Sequence, residues 1–103
     1  MLDLIVKAND LKWQDASESY MRGTQIKILR EDEGGKTILL KIPPGFRQES
    51  HSHLRTEQHY VIQGAYEMGS TPCPEGTYQL IHKDSTHGPI TSKAGAVILV
   101  IWH

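Results

Sequence analysis

The chain has 103 residues, a length that allows one domain with a single core. Hydrophobic residues make up 38 % and charged residues 22 %, and the formal net charge of −1 offers no strong field for nucleic acid or an anionic membrane. No apolar run approaches the roughly 20 residues of a membrane span.

Residues 1–23 are expected to form an N-terminal strand or arm and a connecting segment. The apolar run at residues 2–6 would be exposed unless it pairs with a neighbouring subunit or with the domain's own edge, and we therefore expect a homodimer. No small-residue cleavage site follows this run, so a signal peptide is not expected. In the connecting segment, Trp13 and Tyr20 are expected to anchor against the core.

From residue 24 onwards the chain reads as short strands separated by turns. Residues 24–30 alternate strictly, which predicts a half-buried strand with Ile26 and Ile28 on one face. We expect Gly64 to end the strand at residues 59–63. Further strands are predicted at residues 37–42, 65–69 (the hairpin partner of 59–63), 77–81 and 96–102, with a loop at 70–76. Helical spacing is nowhere sustained, so the pattern predicts an all-β sandwich or barrel.

The single cysteine, Cys73, bears on the cellular compartment. One cysteine excludes an internal disulfide and fits a reducing environment. We therefore expect a cytoplasmic protein.

Two histidines, His51 and His53, lie one residue apart in a stretch bounded by glycines. Residues two apart in a strand share a face, so the two imidazoles point the same way, roughly 7 Å apart along the strand. Glu57 has the same parity beyond a bend, and His87 is the best candidate for a fourth ligand. Three imidazoles and a carboxylate leave positions open on a six-coordinate metal. The His-x-His pair alone also fits exposed histidines that bind nothing.

This stretch resembles the first motif of the cupin superfamily, which is a glycine, five residues, His-x-His, three residues, Glu, six residues and a glycine. The chain matches every fixed position of that motif, at Gly45, His51, His53, Glu57 and Gly64. The second cupin motif is matched at Gly76 and His87. The family's proline, glycine and asparagine are replaced by His82, Asp84 and Thr91. These departures fall on turn positions and leave the ligand set complete.

The resemblance implies a fold and a cofactor. The fold is all-β, a cupin double-stranded β-helix of the jelly-roll type, with one cupin domain over residues 1–103 and its barrel over residues 24–102. The cofactor is one divalent ion bound by His51, His53, Glu57 and His87. We expect iron(II), with zinc, manganese or nickel as alternatives, because the same nitrogen and oxygen ligands accept several first-row ions.

Residues 76–102 also resemble the end of the ChrR-type cupins. In that group a glycine-aromatic strand leads to a Ser/Thr-x-His-x-Pro turn and then to a glycine-led apolar strand. The turn is matched in part by residues 86–89. The group includes the metal-binding domain of an anti-sigma factor and is similar to the acetylacetone-cleaving dioxygenases.

The resemblance leaves two classes of function. The first is a small metal-dependent dioxygenase acting on a β-dicarbonyl or similar enolisable small molecule. The second is a non-catalytic regulatory or sensory cupin module in which zinc closes the site. A metal-dependent isomerase or a sugar-binding cupin is a third option. We expect no additional helical domain of the kind that an anti-sigma factor would need to hold its partner, and this expectation favours the enzyme.

His59 is the candidate catalytic residue. Its parity matches that of Glu57, so it is expected inside the barrel as a proton acceptor or as a hydrogen-bond donor to the substrate. The alternative is a packed interior histidine with structural hydrogen bonds. His82 is expected in a loop. Arg47 and Arg55 either attract an anionic substrate or are solvated.

Overall fold

The computed structural model describes residues 3–52 and 54–103. Within these residues the chain forms a short 3₁₀ helix at Ala8–Asp10 and eleven strands. The strands are β1 Gln14–Asp15, β2 Gln25–Asp32, β3 Gly35–Ile42, β4 Phe46–Gln48, β5 His51–Ser52, β6 Glu57–Met68, β7 Thr71–Pro74, β8 Tyr78–Ile81, β9 Thr86–His87, β10 Ile90–Ser92 and β11 Ala96–Trp102. No helix of this described part is long and apolar enough to cross a membrane.

Antiparallel pairing joins the strands into one large curled sheet and one small ladder. Of the strands that the structure describes, nine form the large sheet, whose main path is β1-β2-β3-β11-β6-β10-β4. Strands β7 and β8 also pair with β6, which is therefore the centre of the sheet. Strands β5 and β9 pair only with each other in this description. The all-β architecture expected from the sequence is confirmed.

The core lies inside the curl and is built from alternate residues of the central strands. Ile38 of β3, Val61 of β6 and Val100 of β11 are at most 2 % exposed. Along β11, every second residue from Ala96 to Val100 is buried, as the period of two requires of a strand that packs one face on the core. Burying a side chain of this size contributes about 1.5–3 kcal/mol.

Strand β6 corrects the prediction around Gly64. The chain does not stop there: β6 runs through Gly64 to Met68, and residues 65–69 belong to the same strand. Their hairpin partner is β7, in a stretch that was expected to be a loop. Gly64 has a φ of +77°, and a Cβ on it would lie 2.3 Å from the carbonyl oxygen of Gly95. The glycine therefore permits a close approach of two backbones instead of ending the strand.

Two further expectations are modified in the N-terminal third. The sequence predicts a strand or an arm at residues 2–6. Residues 3–6 form an arm outside any strand, in which Ile5 is 88 % exposed, and Leu2 lies outside the described residues. In β2, Ile26 is buried but Ile28 is 37 % exposed, and the pairing with β3 shifts register just beyond it, between Ile28 and Arg30.

Candidate functional site

A cavity of about 260 Å³ lies inside the curled sheet. Its apolar walls come mainly from β3, β11 and the segment at residues 19–24 that precedes β2. Its lining also includes side chains with polar atoms, those of Ser19, Tyr20, Thr24, Gln48, His51, Glu57, His59, Tyr66, His87 and Trp102. Among the described residues, no lysine or arginine lines this cavity. The space suits a small, largely apolar molecule with a few polar atoms.

The ladder of β5 and β9 brings two predicted ligands together. His51 and His87 are direct partners in this antiparallel pairing. Their ring centroids are 4.4 Å apart, with the ring planes tilted by 53°. The two imidazoles come from distant parts of the sequence and line the same cavity. His53, the third predicted imidazole ligand, lies outside the described residues.

The hydrogen bond of His51 fixes which of its ring nitrogens carries the proton. Its Nδ1 donates to the backbone carbonyl oxygen of Glu49 over 3.0 Å. A carbonyl oxygen can only accept, so the proton of a neutral ring lies on Nδ1 and the lone pair lies on Nε2. A histidine that ligates a metal needs this arrangement, with the outer N–H held by an acceptor.

Glu57, the predicted carboxylate ligand, is 3 % exposed at the start of β6. Strand pairing sets it opposite Trp102 of β11. Its Oε2 accepts a hydrogen bond from Nε2 of His59 over 3.0 Å, and its Oε1 accepts one from the indole N–H of Trp102. A carboxylate can be buried only where donors replace its water, and these two bonds supply a donor to each oxygen.

His59 combines the two expectations made for it. It is 6 % exposed, lines the cavity and is hydrogen-bonded at both ring nitrogens. Its Nδ1 lies 3.3 Å from the hydroxyl oxygen of Tyr66, which in turn donates to Oε1 of Gln79 over 3.0 Å. Burial raises the pKa of the Tyr66 hydroxyl far above its usual value, so this group is protonated at neutral pH.

The donor chemistry at this cavity fits a divalent first-row ion. Imidazole nitrogens from His51 and His87 and a carboxylate from Glu57 are the ligand types that iron, manganese, nickel and zinc share. Residues 3–52 and 54–103 alone contain no group of three or more His, Cys, Asp or Glu side chains that is arranged to hold a metal ion. The four-ligand set, which includes His53, therefore stays a prediction.

The sequence patterns do not identify three residues that line the cavity, Trp102, Tyr66 and Tyr20. Trp102 appeared only as the end of an apolar strand, and Tyr66 could not be told from the other tyrosines. Tyr20 was expected to pack against the core, and it does, but it also lines the cavity. The signal that would identify Trp102 is the register of β6 against β11, which sets it opposite Glu57.

The remaining charged candidates lie away from the cavity. Arg47 is ion-paired with Glu49 at the surface, with Nε 2.7 Å from Oε1. Arg55 borders an outer cleft, and His82 is exposed, as expected for a loop residue. Burial raises the pKa of the Cys73 thiol, so this group is not a reactive thiolate at neutral pH.

A family model matches the whole chain. The model of the ChrR cupin-like domain covers residues 1–103. None of the curated proteins matches the sequence.

Among solved structures, the chain is similar to the complex of Rhodobacter sphaeroides SigE with the anti-sigma ChrR, at 21 % identity and a TM-score of 0.75. That match covers 94 % of this chain and 52 % of the other, so this chain spans about half the length of the chain that it matches. It is also similar to an acetylacetone dioxygenase from Acinetobacter johnsonii, at 15 % identity and a TM-score of 0.84, over 99 % of this chain and 74 % of that one.

A third similar structure is the polyketide cyclase RemF from Streptomyces resistomycificus. The identity is 15 % and the TM-score 0.81, over 98 % of this chain and 79 % of that one. Identities at this level establish the fold alone. The predicted double-stranded β-helix is thereby confirmed.

Proposed function

Because the chain belongs to the family of ChrR cupin-like domains, we propose that it is a metal-binding cupin that acts as a small dioxygenase on a β-dicarbonyl or similarly enolisable molecule. The observation that carries this proposal is that His51, Glu57 and His87 line one small cavity with largely apolar walls. The likeness to an acetylacetone dioxygenase supports it through the fold.

The proposed cofactor is one divalent ion, iron(II) in the first instance. Its ligands would be His51, His53, Glu57 and His87, with His53 included on its match to the motif. When bound, such an ion supplies Lewis-acid activation of substrate oxygens and, as iron, redox chemistry towards dioxygen. The chain's own contribution is to hold the ligands and to enclose the substrate.

The cavity walls support a substrate of limited size and polarity. A volume of about 260 Å³ lies below the range typical of drug-sized ligands. A sugar would need many hydrogen-bonding partners around its hydroxyl groups, whereas Ile42, Phe46, Ile98 and Val100 contribute only apolar surface. A short dicarbonyl has both oxygens at one side and hydrocarbon at the other, and it fits this division better than a sugar does.

We assign His59 the handling of the substrate proton. An enolisable dicarbonyl loses a C–H proton when it binds as the enolate, and an imidazole in the cavity is a suitable acceptor. Both ring nitrogens of His59 are engaged in the structure. The role therefore requires Nε2 to exchange Glu57 for the substrate and the ring proton to lie on Nδ1, where it donates to the hydroxyl oxygen of Tyr66. Nε2 then has the lone pair that accepts the substrate proton.

The test uses protein loaded with iron, manganese or nickel, an oxygen electrode and a panel of β-diketones. We expect oxygen uptake with at least one diketone. His59→Ala is expected to keep its metal content and to lower turnover roughly 10²-fold, the range typical of acid–base groups. His82→Ala is the matched control, because His82 is exposed and does not line the cavity. Absence of uptake under every metal contradicts the enzyme.

The second candidate is a regulatory or sensory metal-binding module. The observation that favours it is the match to the ChrR cupin-like family together with the likeness to ChrR in complex with SigE. Elemental analysis of protein purified without added metal separates the two candidates. Stoichiometric zinc without oxygen uptake supports the module, and iron or manganese with uptake supports the enzyme.

A further inference from the structure

Trp102 lies between the cavity and an outer cleft of about 370 Å³. Tyr20 lines both spaces as well, and its ring stacks on that of Trp102 with centroids 5.9 Å apart and planes 29° apart. The indole N–H of Trp102 points the other way, into the site, and donates to Oε1 of Glu57. One side chain thus joins the wall of the cavity to the predicted carboxylate ligand.

The position of the Trp102 ring is fixed from several sides. Its backbone is the last paired position of β11, opposite Glu57 of β6 on one side and Lys36 of β3 on the other. The Lys36 ammonium lies 5.9 Å from the centroids of both the Trp102 and the Tyr20 rings, within the range of a cation–π contact. A ring held in this way keeps its N–H in one direction.

We propose that Trp102 is a positioning residue that orients the Glu57 carboxylate for the ion. The inference rests on the proposed metal site. A carboxyl group bound at one oxygen can still rotate about its last bond, but Glu57 is held at both oxygens, by Trp102 at Oε1 and by His59 at Oε2. The indole N–H is a donor without a lone pair, so it orients the carboxylate without competing for the ion.

The first test compares the two tryptophans of the chain. Trp102→Phe keeps an aromatic ring against Tyr20 and removes the N–H, and its zinc affinity, measured by calorimetry, is expected to fall about 10–100-fold, as for other groups that orient metal ligands. Trp13→Phe is the matched control, because Trp13 lies beside Lys27 and Lys41 and does not line the cavity. Its zinc affinity is expected to equal that of the wild type.

The second measurement uses the wild-type fold and stands even if Trp102→Phe fails to fold. Two tryptophans give two indole N–H signals in a proton–nitrogen correlation spectrum, and Trp13→Phe assigns them. In the metal-free protein, the Trp102 signal is expected to exchange slowly with water and to shift upfield in Glu57→Gln, where the acceptor loses its charge. A Trp102 signal that does not move in Glu57→Gln overturns the contact and the inference with it.

The two proposals fail in different ways. If the wild-type protein does not bind zinc, the metal site fails and the positioning role fails with it, whatever the spectrum shows. If the wild type binds zinc and a folded Trp102→Phe binds it equally tightly, the positioning role alone is refuted and the metal site stands.

Discussion

Removal of the Glu57 carboxylate is expected to destabilise the metal-free fold. In Glu57→Ala, the indole N–H of Trp102 and the Nε2–H of His59 lose their common acceptor. A buried donor left without a partner costs about 1–3 kcal/mol, so the free energy of unfolding is expected to fall by about 2–6 kcal/mol. For a domain of this size, each kcal/mol corresponds to a fall of about 4–8 °C in melting temperature.

Glu57→Gln is the matched control, because the amide has the shape of the carboxyl group. Its oxygen accepts the N–H of Trp102, and its NH₂ donates to Nε2 of His59 once the ring proton lies on Nδ1. That Nδ1–H then donates to the hydroxyl oxygen of Tyr66, whose own proton goes to Gln79. The indole N–H, the ring N–H and the hydroxyl proton each keep an acceptor, and only the second amide hydrogen gains none among these groups. The expected loss of stability is therefore smaller than that of Glu57→Ala, about 1–3 kcal/mol.

Chemical denaturation in the presence of a chelator, followed by circular dichroism, yields the free energy of unfolding of both variants and of the wild type. The reasoning is refuted if Glu57→Gln loses as much stability as Glu57→Ala, since the tautomer change of His59 would then not take place. It is also refuted if Glu57→Ala is as stable as the wild type.

Three further predictions concern stability and assembly. Gly64→Ala is expected to lower the free energy of unfolding more than Gly76→Ala. Both glycines have a positive φ, which costs a residue with a Cβ about 1–2 kcal/mol. Of the two, only Gly64 would also bring its added Cβ against the backbone of a neighbouring segment. Denaturation that gives equal losses would contradict this. The free energy of unfolding is also expected to fall at alkaline pH. Burial raises the pKa of Cys73 and Tyr66 in the folded protein above their ordinary values of 9.0 and 10.0. Above those values the unfolded chain releases these protons first, so rising pH favours unfolding. Denaturation curves at neutral and alkaline pH measure this decline. In Cys73→Ala the free energy of unfolding is expected to fall less over the same pH range, because only Tyr66 then contributes. Light scattering is expected to show a homodimer that Ile5→Lys on the exposed arm converts to a monomer; a monomeric wild type at micromolar concentration would count against this assembly.

The strands that could be predicted are those whose local pattern is complete. Residues 24–30, 37–42 and 96–102 fall almost entirely within β2, β3 and β11, because alternation or an unbroken apolar run determines them without reference to distant residues. Strand β6 could not be predicted in full, because Gly64 interrupts its local pattern. Its continuation to Met68 depends on pairing with β7 and β10, which the local sequence does not reveal.

The site shows the same division between spacing and pairing. Motif spacing predicted that His51, Glu57 and His87 share a site, and all three line one cavity. Trp102 could not be predicted, since it is 45 residues from Glu57 and no motif joins them. Their contact arises from the register of β11 against β6, which is a property of the assembled sheet.

The candidate ligands lie in two different sheets, and this bears on the proposed metal site. Glu57 lies in a strand that pairs with β8 on one side and β11 on the other, and its carboxylate is anchored at both oxygens. Among the described residues, His51 and His87 lie in the separate β5–β9 ladder, which consists of two residue pairs. The Glu57 carboxylate is therefore oriented from the large sheet, whereas the two imidazoles reach the cavity from a separate pair of strands. Donors of these types accept several first-row ions, so the ion that the proposed site would hold in the cell depends on availability as well as on geometry.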